Sequence, residues 1–122
     1  MTAPNLVSPT AITGKTARVS ITTTSSVTIL TNSSSNSKVL KINTIFAANV
    51  DGNQSANITV FVSDGSSSGN VHIAKTILVP PSSTQVICQK DTYFYMEEGH
   101  TLKATASAAN DIDLIVGYEE IS

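Results

Sequence analysis

The stretch that decides the fold class of this 122-residue chain is 102–118, LKATASAANDIDLIVGY. Leu102, Ala104 and Ala106 alternate with more polar residues, and the alternation resumes after the turn Ala109-Asn110-Asp111. The apolar positions beyond that turn are Ile112, Leu114, Val116 and Tyr118. Successive side chains of a β-strand point to opposite faces, so this period of two predicts two half-buried strands joined by a turn.

The same pattern recurs along the chain from about residue 16 onward. Short runs rich in Val, Ile and Thr follow one another at a spacing of about 8–12 residues, which is typical of a sandwich or barrel. No long window carries the 3.6-residue period of an amphipathic helix. We therefore predict an all-β domain, an antiparallel two-sheet β-sandwich of jelly-roll or Greek-key type with about eight strands.

The middle of the chain predicts a specific strand pairing. Residues 39–50 form a long strand candidate with a bulge near 43–45, and residues 56–63 form the next one. Asp51-Gly52-Asn53 between them is a strong turn signal. We therefore expect residues 38–63 to form a β-hairpin.

The first 15 residues differ from the rest and predict an extended N-terminal arm, followed by one domain over 16–122. Pro4 and Pro9 favour extended backbone, and Gly14 marks the end of the segment. The arm offers few residues to a core, so we expect it to contact a neighbouring molecule. Its candidate interface residues are Pro4, Leu6, Val7, Pro9 and Ile12.

Charge and targeting signals exclude several classes of function. The formal charge is −2 and the lysines stand singly, whereas nucleic-acid binders carry a clustered basic face. The N-terminus has neither a basic nor an apolar signal region, and no apolar stretch approaches the length of a membrane helix. We expect a protein made in the cytoplasm, with no nucleic-acid or membrane partner. Cys88 is the only cysteine, and we expect it to be a small buried hydrophobe.

No catalytic, cofactor or metal site is predicted. The two histidines differ in setting: His72 lies in a strand and should point to solvent, and His100 lies in a turn. The chain has no G-x-S-x-G nucleophile elbow. The carboxylate pairs Glu97-Glu98 and Glu119-Glu120 are interpreted as solvated residues of turns. We therefore expect a protein that is not an enzyme.

Two polar loops are candidate ligand loops, with Asp51 and Asn53 in one and Asp64 and Ser66 in the other. Turn chemistry explains these residues without calcium, and the loops could instead bind a glycan. An exposed aromatic platform is the other route to glycan binding, and Tyr93 and Tyr95 share one face of a strand.

The composition suits contact with protein. Ser and Thr make up over a quarter of the chain, with 17 Ser and 16 Thr, while charged residues are only 13%. Faces built from apolar and hydroxyl groups are cheaper to desolvate than charged ones. We therefore expect an interaction protein in a symmetric homo-oligomer.

Several segments of the second half resemble small virion proteins of tailed bacteriophages, and those of cyanobacterial phages come closest. The segments are VPPSST at 79–84, KDT at 90–92, YMEEGHTL at 95–102, TASA at 105–108 and YEEIS at 118–122. Further similarity lies at 12–16, ITGKT, and at 41–43, KIN. The chain departs from the usual pattern at Met96, where Leu is common, and at His100, where Asp is common.

The resemblance implies a component of a phage particle. Among such components, the predicted arm over residues 1–15 favours a capsid decoration (cement) protein, because proteins of this kind are commonly homotrimers that contact the major capsid protein through an extended arm. Alternatives are a subunit of the tail, neck or fibres, or a module that binds a glycan on the host surface. Nothing in the residues separates head from tail.

Overall fold

The computed structural model describes residues 4–65 and 69–122, which contain nine β-strands and no α-helix. The strands are β1 (Ile12–Ile21), β2 (Val27–Thr31), β3 (Val39–Asn49), β4 (Ala56–Ser63), β5 (Asn70–Val79), β6 (Thr84–Cys88), β7 (Phe94–Met96), β8 (Thr101–Ala106) and β9 (Ile112–Ile121). One 3-10 turn, Lys90–Thr92, separates β6 from β7. The all-β prediction is confirmed.

The strands form two antiparallel sheets. Sheet A has the order β1-β9-β3-β6, with β7 also paired to β3, and sheet B has the order β2-β8-β4-β5. The pairs β4·β5, β3·β6, β2·β8 and β1·β9 are nested in sequence, as in one long hairpin wrapped around a core. This is the strand order of a jelly roll, so the predicted two-sheet sandwich is confirmed.

The core lies between the sheets and follows the period of two. The inward positions of β9, Ile112, Leu114 and Val116, are at most 1% exposed. The corresponding positions of β8, residues 102, 104 and 106, are equally buried. Burial of a large aliphatic side chain contributes about 1.5–3 kcal/mol, so these two strands hold the sheets together.

The predicted hairpin over 38–63 is wrong, because β3 belongs to sheet A and β4 to sheet B. The turn at Asp51 exists, since the Asp51 carboxylate accepts a hydrogen bond from the Asn53 backbone N at 2.8 Å. The loop nevertheless carries the chain across the core. Ile45 of β3 and Ile58 of β4 are both fully buried in that core, and each strand finds its lateral partners elsewhere.

The bulge expected near 43–45 is confirmed. The pairing of β3 with β9 shifts register between Ile42 and Thr44, so Asn43 is the extra residue. The bulge keeps both Ile42 and Ile45 fully buried although they are three positions apart.

The predicted N-terminal arm is shorter than residues 1–15. Strand β1 begins at Ile12, opposite Ile121, and Gly14 pairs with Glu119 instead of ending a free segment. The backbone N atoms of Thr10 and Ala11 also donate to the Ser122 carbonyl, at 2.7 and 3.1 Å. Residues 10–15 are held because the C-terminal strand offers them a complete ladder of partners.

Candidate functional site

The outward face of sheet A carries a row of exposed apolar side chains. Cross-strand pairing places Ile115 of β9 opposite Phe46 of β3, and Phe46 opposite Val86 of β6. Their exposures are 45%, 37% and 39% respectively. Arg18 of β1 lies opposite Ile115 and continues the line to the edge of the sheet. We call Ile115, Phe46 and Val86 the apolar row.

Short side chains, most of them polar, flank the apolar row toward one end of the sheet. Ser20 and Ala48 both lie opposite Asp113, and the Ser20 hydroxyl donates to the Asp113 carboxylate at 2.6 Å. These short side chains leave the apolar row accessible. On such a face, long apolar side chains project beyond short hydroxyl side chains. Another protein can cover this face with little loss of polar hydration.

Toward the other end, two tyrosines and a lysine form an exposed group that we call the tyrosine patch. The rings of Tyr93 and Tyr95 meet edge to face, with their centroids 5.8 Å apart. Lys41 Nζ lies 4.3 Å from the centroid of the Tyr93 ring. Phe94, between the tyrosines, packs on the core instead, which confirms the expected alternation of this strand.

Asn43 and Glu119 lie beside Lys41 on the same face. The Asn43 amide Nδ2 donates to Glu119 Oε1 at 3.0 Å, while its Oδ1 is buried and has no hydrogen-bond partner among the described residues. Lys41 pairs directly with Glu119 across β3 and β9. The tyrosine patch and these two neighbours together present aromatic rings, an amide and charges of both signs.

Three of the five predicted interface residues of the N-terminal segment, Pro4, Leu6 and Ile12, lie at this end of sheet A. Pro4 and Leu6 line an open groove of about 510 Å³ together with Val39, Phe94, Tyr95 and Glu97. Val7 is the most exposed of the five, at 92%, and Ile12 is also exposed, whereas Pro9 is half-buried. Residues 5–8 form a turn, since the Ser8 backbone N donates to the Asn5 carbonyl. Pro4 and Leu6 therefore lie beside their own domain, whereas Val7 points to solvent.

The candidate ligand loops do not form one site. The loop with Asp51 and Asn53 precedes β4, and the loop with Asp64 follows it, so they lie at opposite ends of an eight-residue strand. Such a strand is about 26 Å long. Ser66 lies outside the described residues. Turn hydrogen bonds engage the first loop: Asn49 Oδ1 accepts from the Asp51 backbone N at 3.0 Å.

The histidines and the cysteine are placed separately. His72 is exposed, as expected, and its ring lies on Phe61 with centroids 5.3 Å apart. The Glu97 backbone N lies 3.3 Å from His100 Nδ1, and Cys88 is buried. Within residues 4–65 and 69–122, no group of three His, Cys, Asp or Glu residues could hold a metal ion.

Glu119 and Glu120 lie in β9 and not in a solvated turn, which corrects the sequence interpretation. Glu120 accepts hydrogen bonds from Lys38 Nζ at 2.9 Å and Lys15 Nζ at 3.0 Å. These two ammonium groups lower the pKa of the Glu120 carboxyl below its ordinary value, and the same contact raises the pKa of Lys15. The C-terminal strand is thereby tied to β1 and to the start of β3.

Sequence reasoning missed the apolar row, although a signal exists. Each of its residues belongs to a run of three consecutive apolar residues. Phe46 and Ile115 are the middle residues of Ile45-Phe46-Ala47 and Leu114-Ile115-Val116, and Val86 is the first residue of Val86-Ile87-Cys88. A strand with one face in a core needs only every second residue to be apolar. The additional apolar residues indicate a second face that contacts protein.

The chain matches no protein-family model, and no curated protein matches it. Among the described residues, no helix is long and apolar enough to cross a membrane.

Proposed function

We propose that this protein is a non-enzymatic structural subunit of a phage particle, a homo-oligomer that decorates the outside of the capsid. The apolar row on the outward face of sheet A carries the proposal. The apolar row would be the contact surface, and the major capsid protein would be the partner that covers it. The resemblance of the sequence to small phage virion proteins is the reason for proposing a phage particle as the assembly.

The chemistry of the face supports packing against protein. Three apolar side chains in direct cross-strand register offer continuous apolar area, and each Å² of such area that is buried contributes about 25 cal/mol. Arg18 and Asp113 lie at the margin, where charges steer association more than they strengthen it. The proposed role is mechanical: the domain would link neighbouring shell subunits by contact alone, without catalysis.

The test is addition of the purified protein to capsids that lack it, measured by co-sedimentation. Replacement of Phe46 and Ile115 by Ser should weaken capsid binding by at least about tenfold, since central apolar contacts dominate interfaces. Val71→Ser is the matched control, because Val71 is 70% exposed but belongs to sheet B. Equal binding by the double variant and the control would refute the proposed contact face.

A tail, neck or fibre subunit is the alternative within the same class. Copy number per particle separates the two: hundreds of copies require a place on the shell, whereas a handful to a few dozen require the tail or neck. Quantitative mass spectrometry of purified particles measures it.

A glycan-binding module is the second candidate, and the tyrosine patch favours it. Exposed aromatic rings beside charged and amide groups are the usual means of holding a sugar. A glycan array should then give a signal that Tyr95→Ala abolishes and that Leu78→Ser, on the other sheet, leaves unchanged. The absence of any signal from the unaltered protein would reject this candidate.

A further inference from the structure

The four sheet edges differ in how they are protected from pairing with another strand. Strand β2 has five residues and a register shift between Thr28 and Leu30. Strand β5 has two register shifts opposite β4 and a left-handed residue, Thr76, at φ 53°. The edge formed by β6 and β7 is interrupted by the turn Lys90–Thr92. Short strands, bulges and interruptions are the devices that keep edges unpaired.

Strand β1 has none of these backbone devices, and its protection is limited to two charged side chains, Lys15 and Arg18. It pairs with β9 over ten consecutive residues, Ile12 to Ile21, without a register shift. It contains no proline, and in the part of the chain that the structure describes no strand pairs with its other side. About half of its residues therefore direct their backbone N–H and C=O groups away from β9. A regular edge of this length is a template for another strand.

We propose that β1 pairs antiparallel with β1 of a second copy across a two-fold axis, so that sheet A continues from one copy into the next. The inference rests on the homo-oligomer of the proposed function and not on its place in a phage. It gives a two-fold pair where the resemblance implies a trimer, because an antiparallel pairing of identical strands is closed at two copies.

The charges of β1 limit the register. A two-fold axis at right angles to the sheet runs midway between the two β1 strands, where one residue lies opposite the same residue of the partner copy. We name the axis by that residue. Such an axis keeps the inward faces of both copies on the same side. An axis at Lys15 or at Arg18 would place like charges directly opposite each other, which is destabilising. With the axis at Ala17, Lys15 instead lies opposite Val19 of the partner, whose apolar surface its stem can cover.

This register also gives Arg18 a partner. Arg18 is exposed and makes no ion pair among the described residues. With the axis at Ala17 it lies opposite the partner copy's Thr16, whose hydroxyl can accept from the guanidinium. With the axis at Thr16, Arg18 would lie opposite Gly14, which offers no side-chain acceptor.

The side of the sandwich is large enough for a stable pair. Nine paired residues span about 30 Å, and two sheets with their side chains make this side about 20 Å deep, so about 600 Å² per copy is covered. The total of about 1,200 Å² reaches the size of specific interfaces. Four partly buried apolar residues lie along β1 and β2 at this side: Ala17, Val19, Val27 and Leu30. The partner copy would complete their burial.

Two substitutions of one exposed residue test the register. Thr16 lies opposite Gly117 within its own sheet, so a longer side chain there meets no interior group. Thr16→Glu should tighten the dimer and Thr16→Lys should loosen it, because residue 16 faces Arg18 of the partner in two symmetric pairs. The two dissociation constants should differ by at least about tenfold in sedimentation equilibrium. Unaltered protein that stays monomeric at millimolar concentration, or two variants that weaken the dimer equally, would overturn the proposal.

Crosslinking provides the second measurement. In the proposed register the two Ala17 Cα atoms are about 4.5–5.5 Å apart, within reach of a disulfide. The two Thr16 Cα atoms are about 7–8 Å apart, which is too far. Mild oxidation should therefore crosslink Ala17→Cys and leave Thr16→Cys monomeric in a denaturing gel. The reverse result would place the axis at Thr16 and contradict the inference. A crosslinked dimer that fails to bind capsids would refute the proposed function alone.

Discussion

Single residues decide how closely the strands of sheet A approach each other. Gly14 of β1 and Gly117 of β9 both lie in the regular ladder between these two strands, but only Gly117 also pairs with Thr44, beside the bulge of β3. A Cβ atom added at Gly117 would lie 2.8 Å from Thr44 Oγ1, whereas nothing lies within 4 Å of one added at Gly14. Packing against Thr44, the residue that follows the bulge at Asn43, therefore requires a glycine at position 117, whereas packing does not require one at position 14.

We expect Gly117→Ala to destabilise the fold by about 1–3 kcal/mol, the usual cost of overpacking. Gly14→Ala should be neutral or slightly stabilising, since Ala loses less backbone freedom on folding. Urea denaturation measures both. Adding Thr44→Ala to Gly117→Ala should recover part of the loss, and a loss that persists unchanged would contradict the steric explanation.

At the scale of elements, two buried asparagines fix the connections on either side of β3. Asn32 Nδ2 donates to the carbonyls of Lys38 and Met96, both at 3.0 Å. Asn49 Nδ2 donates to the carbonyls of Gln54 and Val79, at 2.8 and 3.0 Å. Each amide joins backbone segments that no sheet ladder connects at that point, so each holds a crossing between the two sheets.

Asn49→Ala should therefore destabilise the protein by about 2–4 kcal/mol, because two carbonyls lose their partner in a buried place. The exposed Asn53 of the same loop is the control, and Asn53→Ala should change stability by less than about 0.5 kcal/mol. Thermal unfolding by circular dichroism compares them. Similar losses for the two variants would show that the turn itself, and not the buried amide, holds the crossing.

The contact of Glu120 with Lys38 and Lys15 makes the stability of β9 depend on pH. A carboxyl whose pKa is lowered by folding stabilises the protein above its ordinary pKa, and this contribution is lost as the pH falls through the lowered value. Stability should therefore fall below about pH 4.5 in the unaltered protein and fall less in Glu120→Gln. Denaturation curves at several pH values measure this difference, with the exposed Glu97→Gln as control. Parallel pH profiles for Glu120→Gln and the unaltered protein would contradict it.

At the scale of the whole molecule, the N-terminal segment and the sandwich are divided near residue 9. Deletion of residues 1–8 should leave a cooperative fold, because the ladder with Ser122 begins at Thr10. Deletion of residues 1–15 should lower stability markedly, since it removes four paired positions of β1 and the Lys15 contact with Glu120. Calorimetry of the two truncations tests the boundary, and equal melting temperatures would move it to residue 15.

The sequence by itself determined the strands and their inward faces. The direction of a side chain on a strand is a local property, so the alternation at Leu102–Ala106 and Ile112–Val116 was sufficient to identify the core residues. The bulge at Asn43 and the exposed position of His72 could also be predicted locally.

Only the tertiary structure decided which strands are neighbours. The turn at Asp51 is compatible with a hairpin and with a crossing, and the choice depends on distant partners of β3 and β4. The apolar row exists only because β9, β3 and β6 lie side by side in that register. Pairing between strands is set by the burial of the whole core, which no local pattern contains.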